Sequence, residues 1–414
     1  MKKLLAAIAV ASALLLVGVP AAEASGTCSI ASLANDGRLR DFAGYVSTMG
    51  GEKLFSRDGT DALPEGSVHK LLTAAAAIEV LGPKYRLKTT VVKGSKAGTI
   101  VLVGGGDPTL SRASSSFYPG SPKLADLAKQ VKKSLKGEKI RKIVLDATYW
   151  NPKDNWDSTW ARSEQRIGYL SETTALQVDG DRANPGSNVS PRSTDPVKKA
   201  GQYFARALGV PNVTLVKGEA PDGAELLASV KSQPISSLIT TMLLSSDGTL
   251  AESIARVISL RSGADGSAKS LDGVYSTALA GYGLDTSRLR IRDGSGLSTK
   301  NGVSAKFVTQ LLREIYGGPH KLRYVYNGLS VAGRTGSLAG RFTGSAAVAR
   351  GNVWAKTGWL DTEYSLAGIV KAKDGTRLVF AFYAIGNGIS PSAKAALDSL
   401  TAGVYRCGAQ LSNG

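Results

Sequence analysis

The sequence predicts an α+β protein in which helices flank an antiparallel sheet. Two observations lead to this fold class. Strand patterns lie near both ends of the chain, and the patterns of the middle are largely helical, so strands from the two ends are expected to share one sheet. The chain of 414 residues is also longer than one hydrophobic core usually serves. We therefore expect more than one domain.

Residues 1–24 have the pattern of a secretory signal peptide. Lys2 and Lys3 precede an apolar run at 4–19, and the small-residue segment 22–24 follows as a cleavage site. We expect cleavage after Ala24 and a secreted, periplasmic or cell-wall location. No later apolar run is long enough to cross a bilayer, so no transmembrane segment is expected after cleavage.

The first elements of the mature chain are predicted to be a β-hairpin and a buried helix. Residues 42–48 and 52–56 flank a turn with two glycines, which is typical of a hairpin. A loop with Pro64 and Gly66 then leads into a helix that is apolar on most sides. Gly82 and the proline after it end this helix.

The middle of the chain mixes strands, helices and long loops. The segment 104–110, Gly-Gly-Gly-Asp-Pro-Thr-Leu, is no phosphate loop, because no Gly-Lys-Ser/Thr follows it. Residues 147–195 combine tryptophans with many turn residues and are expected to form surface loops. Further strands are predicted at 89–93, 99–103, 142–145 and 212–216, with helices at 124–135 and 196–208.

The last part of the chain is predicted to be helical first and then β-rich. A helical pattern extends from Ile235 through Ser259, and two shorter helices follow at 267–279 and 304–315. The predicted strands 352–357, 364–371 and 377–385 are followed by a closing helix at 391–405.

The two cysteines, Cys28 and Cys407, are expected to form a disulfide that ties the chain ends together, because the chain carries an export signal. Two separate buried thiols are the alternative. The formal net charge of +18 attracts anionic partners, which outside a cell are wall polymers and lipid headgroups, and a generally basic, soluble surface without such a partner is the alternative. Nucleic acid is not expected, since the sequence has neither zinc-finger spacing nor a ribonucleoprotein aromatic motif.

Three short motifs carry candidate chemistry. Ser67 and Lys70 share a face at the start of the first helix, which places a nucleophile beside a candidate base. An N-cap serine with an ordinary surface lysine is the alternative. Ser246-Asp247-Gly248 is the second motif. Lys356-Thr357-Gly358, on a strand before Trp359, is the third, and such a strand can bind an extended peptide and its terminal carboxylate.

With these motifs in this order, the sequence resembles the serine-type D-Ala-D-Ala carboxypeptidases/endopeptidases, the class C low-molecular-mass penicillin-binding proteins of the DacB type. Their signature with the serine β-lactamases is S-x-x-K, S-x-N and K-T-G. The strings at 71–76, 104–110, 293–298 and 366–368 point to this family in particular. The match covers nearly the whole mature chain.

The resemblance implies a transpeptidase domain of the α/β/α penicillin-binding and β-lactamase type, split by a smaller α/β domain. The separation of 179 positions from Ser67 to Ser246 supports an insertion. We expect the penicillin-binding domain at 25–88 and 236–414 and one inserted domain at 89–235.

The resemblance also implies roles for the site residues. Lys70 takes the proton of Ser67. Ser67 then attacks the carbonyl that joins two D-alanines in a peptidoglycan stem peptide, or the ring carbonyl of a β-lactam. Backbone N–H groups of Ser67 and Trp359 hold the oxyanion. Ser246 relays a proton to the leaving D-alanine, Lys356 and Thr357 bind the terminal carboxylate of the substrate, and Gly358 belongs to the same substrate-binding strand. Neither a metal nor a cofactor is implied.

Two residues depart from the family pattern. Gly248 stands where the second motif has asparagine, and Trp359 where a small polar residue is usual. Asp247 is expected to fill part of the asparagine role, as an acceptor only. A wall-binding homologue with impaired catalysis is therefore the main alternative, while a β-lactamase is disfavoured by the insertion. His69 is expected on the far side of the helix, which argues against a Ser-His-Asp triad.

Overall fold

The computed structural model describes residues 27–318 and 322–412, so the predicted signal peptide at 1–24 lies outside the described residues. The strands are β1 (Cys28–Ser29), β2 (Asp41–Thr48), β3 (Lys53–Arg57), β4 (Lys88–Lys93), β5 (Thr99–Gly105), β6 (Lys142–Asp146), β7 (Thr214–Lys217), β8 (Leu226–Lys231), β9 (Ser330–Val331), β10 (Val353–Leu360), β11 (Glu363–Lys371), β12 (Arg377–Ile385) and β13 (Leu411–Ser412). The helices are α1 (Ala31–Ala34), α2 (Lys70–Val80), α3 (Leu124–Leu135), α4 (Ser163–Ile167), α5 (Pro196–Leu208), α6 (Ile235–Ser245), α7 (Gly248–Arg261), α8 (Leu271–Ala280), α9 (Ala305–Gly317), α10 (Arg323–Asn327) and α11 (Ala393–Cys407).

The sheet next to the site is antiparallel and has the strand order β12-β11-β10-β9. Helices cover both of its faces. Because side chains alternate along a strand, successive side chains of β12 therefore pack in different cores. Val379 and Ala381 pack in the core that contains α2 and α9, whereas Leu378 and Phe380 pack in the core that contains α11. This is the predicted α+β arrangement of helices around an antiparallel sheet.

The N-terminal hairpin β2–β3 packs beside β12, so strands from the two ends of the chain meet as predicted. The rings of Phe42 and Phe382 lie 5.8 Å apart across this contact. A parallel bridge between Arg40 and Ile385 links the two chain segments.

A second sheet, β7-β6-β5-β4-β8, lies entirely between residues 88 and 231. Strands β5, β6 and β7 are parallel, and β4 is antiparallel to both β5 and β8. Helices α3 and α5 pack together beside it. We propose that this sheet and its helices form the inserted domain at 89–235. Strand β8 was not predicted, because its short sequence with an exposed Leu226 lacks a clear alternation.

The helical pattern predicted as continuous from Ile235 to Ser259 is wrong at its centre. Helix α6 ends at Ser245, Ser246 is left-handed with φ of 57°, and α7 begins at Gly248. The break follows from Asp247, whose side chain accepts a hydrogen bond from the Leu250 N–H and caps α7. Because of this break, Ser246 lies in the turn between α6 and α7 and not within a helix. Within the described ranges, no helix has the length and apolar character needed to span a membrane.

The predicted disulfide is present between Cys28 and Cys407, whose Cα atoms are 5.3 Å apart. Strands β1 and β13 pair in parallel beside it. The first and last described segments of the chain are therefore joined both covalently and by backbone hydrogen bonds.

Replacing both cysteines with serine is expected to lower the free energy of unfolding by about 3–5 kcal/mol, because the bond restricts the unfolded chain. Urea unfolding of Cys28→Ser/Cys407→Ser and of the oxidised protein gives the comparison. Reduced wild-type protein is the control and should match the variant. Equal unfolding curves for the variant and the oxidised protein would contradict this prediction.

Candidate active site

Ser67 lies in a 3-10 turn, Gly66–His69, that continues into α2 at Lys70. Lys70 Nζ donates to Ser67 Oγ at 2.8 Å and to the carbonyl of Ser295 at 2.6 Å. Lys70 is buried, and this burial lowers its pKa to about 8 against the charges of Asp293 and Glu252. The structure thus places the candidate nucleophile beside an amine whose pKa is lowered to about 8.

The 3-10 turn Gly66–His69, called the nucleophile turn below, packs directly against β10. Gly66 has φ of +52°, and a Cβ added there would lie 2.9 Å from the backbone nitrogen of Trp359. A Cβ added at Gly358 would lie 3.1 Å from the backbone nitrogen of Ser67. Only glycines permit this close contact between turn and strand, at which the backbone nitrogens of Ser67 and Trp359 both lie. These are the two predicted oxyanion donors.

Ser246 is brought to the site by the break between α6 and α7. Lys356 Nζ donates to Ser246 Oγ at 2.9 Å and to the Thr357 carbonyl at 2.8 Å. Lys356 is fully buried, and burial, together with the charge of Lys70, lowers its pKa well below the usual value. Two lysine–serine pairs therefore converge from three distant segments of the chain.

Thr357 donates through Oγ1 to Ser337 Oγ at 2.8 Å. Ser337 lies in a 3-10 turn, Gly336–Leu338, and was not predicted as a site residue. The string Thr335-Gly336-Ser337 is small and polar, and it resembles other turns of the sequence. No sequence signal available from one chain marks it as part of the site.

Asp247 is buried, and its carboxylate is engaged within the protein. Besides capping α7, it accepts hydrogen bonds from Arg182 Nη2 at 2.8 Å and Tyr118 Oη at 2.9 Å. Burial raises its pKa, but the Arg182 and Arg192 guanidinium groups outweigh burial and bring the pKa to about 2. Asp247 thus ties the 89–235 segment to the site, and its predicted contact with substrate stays a prediction.

The side chains converge on one cleft of about 240 Å³. Trp359 is 40% exposed at its mouth and meets Tyr169 edge to face, with centroids 5.9 Å apart. The lining residues include every predicted catalytic and substrate-binding residue except Lys356, namely Ser67, Lys70, Ser246, Asp247, Thr357, Gly358 and Trp359, together with unpredicted residues such as Glu164, Tyr169, Arg182, Ser337, Arg341 and Lys394.

His69 packs on the buried side of the nucleophile turn, as predicted. Its Nδ1 is hydrogen-bonded to Glu65, and its ring stacks on Tyr275 with centroids 6.0 Å apart. The Glu65 carboxylate raises the pKa of His69 against the effect of burial. Across residues 27–318 and 322–412, no group of three or more His, Cys, Asp or Glu side chains is arranged to hold a metal ion.

Comparison with known proteins gives one consistent family. The model of the D-Ala-D-Ala carboxypeptidase 3 (S13) family matches residues 27–188 and 171–404. Carboxypeptidase DacB of Mycolicibacterium smegmatis is 32% identical over 366 residues, which is 86% of this chain and 78% of the relative. A carboxypeptidase of Mycobacterium tuberculosis is 31% identical over 391 residues, 92% of this chain and 84% of the relative.

The fold is also found among solved structures. Penicillin-binding protein 4 (DacB) of Haemophilus influenzae has a TM-score of 0.75 at 21% identity, covering 91% of this chain and 98% of its own. Another structure of that protein, in complex with a β-lactam, has a TM-score of 0.68 at 20% identity and the same coverage. At these identities the likeness establishes the fold.

Proposed function

Because the chain belongs to the D-Ala-D-Ala carboxypeptidase 3 (S13) family, we propose that it cleaves the terminal D-alanine, or a D-amino-acid cross-link, of peptidoglycan stem peptides through an acyl-serine intermediate. It is a serine-type carboxypeptidase. One observation carries the finer proposal. Lys70 Nζ lies 2.8 Å from Ser67 Oγ, and Lys356 Nζ lies 2.9 Å from Ser246 Oγ beside the same cleft.

In the proposed acylation, neutral Lys70 takes the proton of Ser67, and Oγ forms a bond to the carbonyl carbon of the penultimate D-alanine. The N–H groups of Ser67 and Trp359 stabilise the oxyanion. The C–N bond then breaks, and the leaving D-alanine nitrogen receives its proton through Ser246. Lys356, held beside Ser246, and Thr357 attract the terminal carboxylate of the substrate.

Water then hydrolyses the ester, which releases the shortened peptide and restores Ser67. A β-lactam carries a reactive amide and a carboxylate in similar positions, so we propose that it acylates Ser67 in the same way. The leaving nitrogen of a β-lactam is part of a ring and stays tethered to the acyl group after the amide bond opens. Because no leaving group departs, the adduct on Ser67 is expected to persist.

The proposed activity is tested by release of D-alanine from an acylated L-Lys-D-Ala-D-Ala tripeptide. A matched peptide ending in L-alanine is the control substrate. Mass spectrometry of the intact protein after incubation with penicillin tests acylation in parallel. D-alanine release with a single penicillin adduct is the expected result, and absence of both would contradict the proposal.

The acylation rate is expected to depend on pH through Lys70. Only the neutral amine accepts a proton, so the rate should rise about tenfold per pH unit and level off above the Lys70 pKa. That pKa is about 8 because of burial, so the plateau is reached well below the ordinary lysine value of 10.5. Stopped-flow acylation by a chromogenic β-lactam between pH 5.5 and 9.5 measures the profile. A rate independent of pH across this range would exclude Lys70 as the base.

Gly248 supports a second candidate function, a peptidoglycan-binding homologue whose catalysis is impaired. Glycine provides neither the donor nor the acceptor of the usual asparagine amide. Such a protein would bind the stem peptide but release D-alanine slowly. Equilibrium binding of the peptide combined with a very low turnover number would favour this candidate over an efficient carboxypeptidase.

We also propose that residues 1–24 direct export of the protein and are then removed, and that the protein acts in the periplasm, the cell wall or the medium. The disulfide supports an oxidising compartment. N-terminal sequencing of protein recovered from the native cell envelope tests the proposal, with Ser25 as the expected first residue. A mature chain that begins at Met1 would contradict it.

Anionic wall polymers are a further proposed partner. Lys129, Lys132, Lys133 and Lys136 are exposed along α3 and the turn after it. Clustered cations of this kind attract polyphosphate chains, and salt screens the attraction. Co-sedimentation with cell walls is expected to fall with salt and in Lys132→Glu/Lys133→Glu. Equal binding to walls stripped of anionic polymers would contradict this partner.

A further inference from the structure

Glu252 is a buried carboxylate on α7 directly beneath the site. Its Oε1 accepts hydrogen bonds from the N–H of Gly294 at 3.0 Å and from the N–H of Ser295 at 2.6 Å. Its Oε2 is buried and has no hydrogen-bond partner among the residues that the structure describes. Burying a carboxylate in this way costs free energy, so a role for the buried Glu252 side chain is expected.

Residues 294 and 295, whose N–H groups Glu252 binds, also provide a carbonyl that accepts a hydrogen bond from Lys70. The carbonyl of Ser295 accepts from Lys70 Nζ at 2.6 Å, and the carbonyl of Gly294 accepts from Thr73 Oγ1 at 2.6 Å. Residues 294 and 295 are thus fixed between α2 and α7. A Cβ added at Gly294 would lie 2.4 Å from the Cβ of Ala255, so only glycine allows this separation.

We infer that Glu252 is a positioning residue, which fixes the Ser295 carbonyl and through it holds Lys70 beside Ser67. The inference rests on the proposed function, since it assigns Lys70 as the base. The carbonyl provides an acceptor for the Lys70 amine in a site where Gly248 provides no side-chain amide. Glu252 thus compensates for the missing asparagine by fixing a main-chain group.

The charge of Glu252 also acts on Lys70 directly. Burial and the charge of Asp293 raise the pKa of Glu252 to about 7, and Arg256 opposes them. The Glu252 charge in turn raises the pKa of Lys70, which burial lowers. Removing it is therefore expected to lower the Lys70 pKa. The charged and titratable groups around Glu252 are His69, Lys70, Arg256, Tyr275 and Asp293.

Glu252→Gln separates charge from geometry, because its amide oxygen still accepts from the two N–H groups. Above about pH 7, where Glu252 is ionised, the acid limb of the acylation profile is expected to move to lower pH by on the order of one pH unit. The plateau rate should change less than tenfold, and the thermal melt should match the wild type. A residue that only supports the fold would change the plateau and leave the limb in place.

Glu252→Asp is the complementary variant, since it keeps the charge but is one methylene shorter. The limb should stay in place, while the plateau falls by on the order of 10²-fold as the Ser295 carbonyl shifts. Glu138→Gln, at an exposed glutamate, is the control and should behave as the wild type.

Two results would overturn this inference and leave the proposed function intact. One is a folded Glu252→Gln protein whose acid limb has not moved, and the other is a Glu252→Asp protein with the plateau rate of the wild type. Failure of both variants to fold would replace the positioning role with a purely structural one. A wild-type protein that no β-lactam acylates at any pH would instead defeat the proposed function, and this inference with it.

Discussion

Ser67→Ala is expected to abolish the covalent penicillin adduct completely. The alanine methyl group cannot form the ester, and Lys70 is left without a proton to accept. Release of D-alanine should fall by a factor on the order of 10⁶, the scale found when a serine nucleophile is removed. Intact-protein mass spectrometry and a coupled D-alanine assay measure the two effects.

Ser262→Ala is a suitable control, because Ser262 is an exposed serine just after α7 and outside the cleft. This variant should keep both the adduct and the activity. Peptide mapping of the labelled wild type locates the modified side chain. An adduct on another residue, with Ser67 unmodified, would remove the central claim about the nucleophile.

Gly248→Asn is expected to raise the second-order rate of acylation. One positioned hydrogen-bonding group in an active site is typically worth a factor on the order of 10²–10³ in rate. If the Ser295 carbonyl offsets part of the loss, as inferred above, the gain is smaller than this. The space at this position is limited but usable. An added Cβ would lie 3.3 Å from Leu170 Cδ1 and 3.4 Å from the Tyr169 carbonyl oxygen.

Gly248→Ala is the matched control, since it adds the same Cβ without the amide. It should show a rate equal to or below the wild type, so that any gain in Gly248→Asn is due to the amide. Thermal melts establish that both variants fold. If a well-folded Gly248→Asn protein reacts no faster than Gly248→Ala, the site has adapted to glycine and the family role does not apply at this position.

The main parts of the fold were predictable because their patterns are local. The strands β11 and β12 and the helix α2 are nearly continuous buried apolar segments bounded by turn residues, whereas α5 follows a helical apolar period. The disulfide followed from two cysteines with an export signal. The break at Ser246 was missed, because apolar residues continue on both sides of it. The left-handed backbone of Ser246 and the capping bond of Asp247 show where one helix ends and the next begins.

The motif residues could be predicted because each motif is short and the order of the motifs along the chain is distinctive. The groups that support them were not found, because their contacts join distant positions. Lys70 and Ser295 are 225 positions apart, and Asp247 and Arg182 are 65 apart. Neither Glu252 nor Ser337 stands in a string that one sequence can distinguish from an ordinary helix or turn.

The pairing of Cys28 with Cys407 bears on how the protein is made. A ribosome delivers the chain N-terminus first, so Cys28 emerges long before its partner, 379 positions later. Since the sequence has no third cysteine, oxidation within one molecule has a single outcome. An oxidase is therefore sufficient for this bond and an isomerase is not required. Until Cys407 has been synthesised, the Cys28 thiol can form a disulfide only with another molecule.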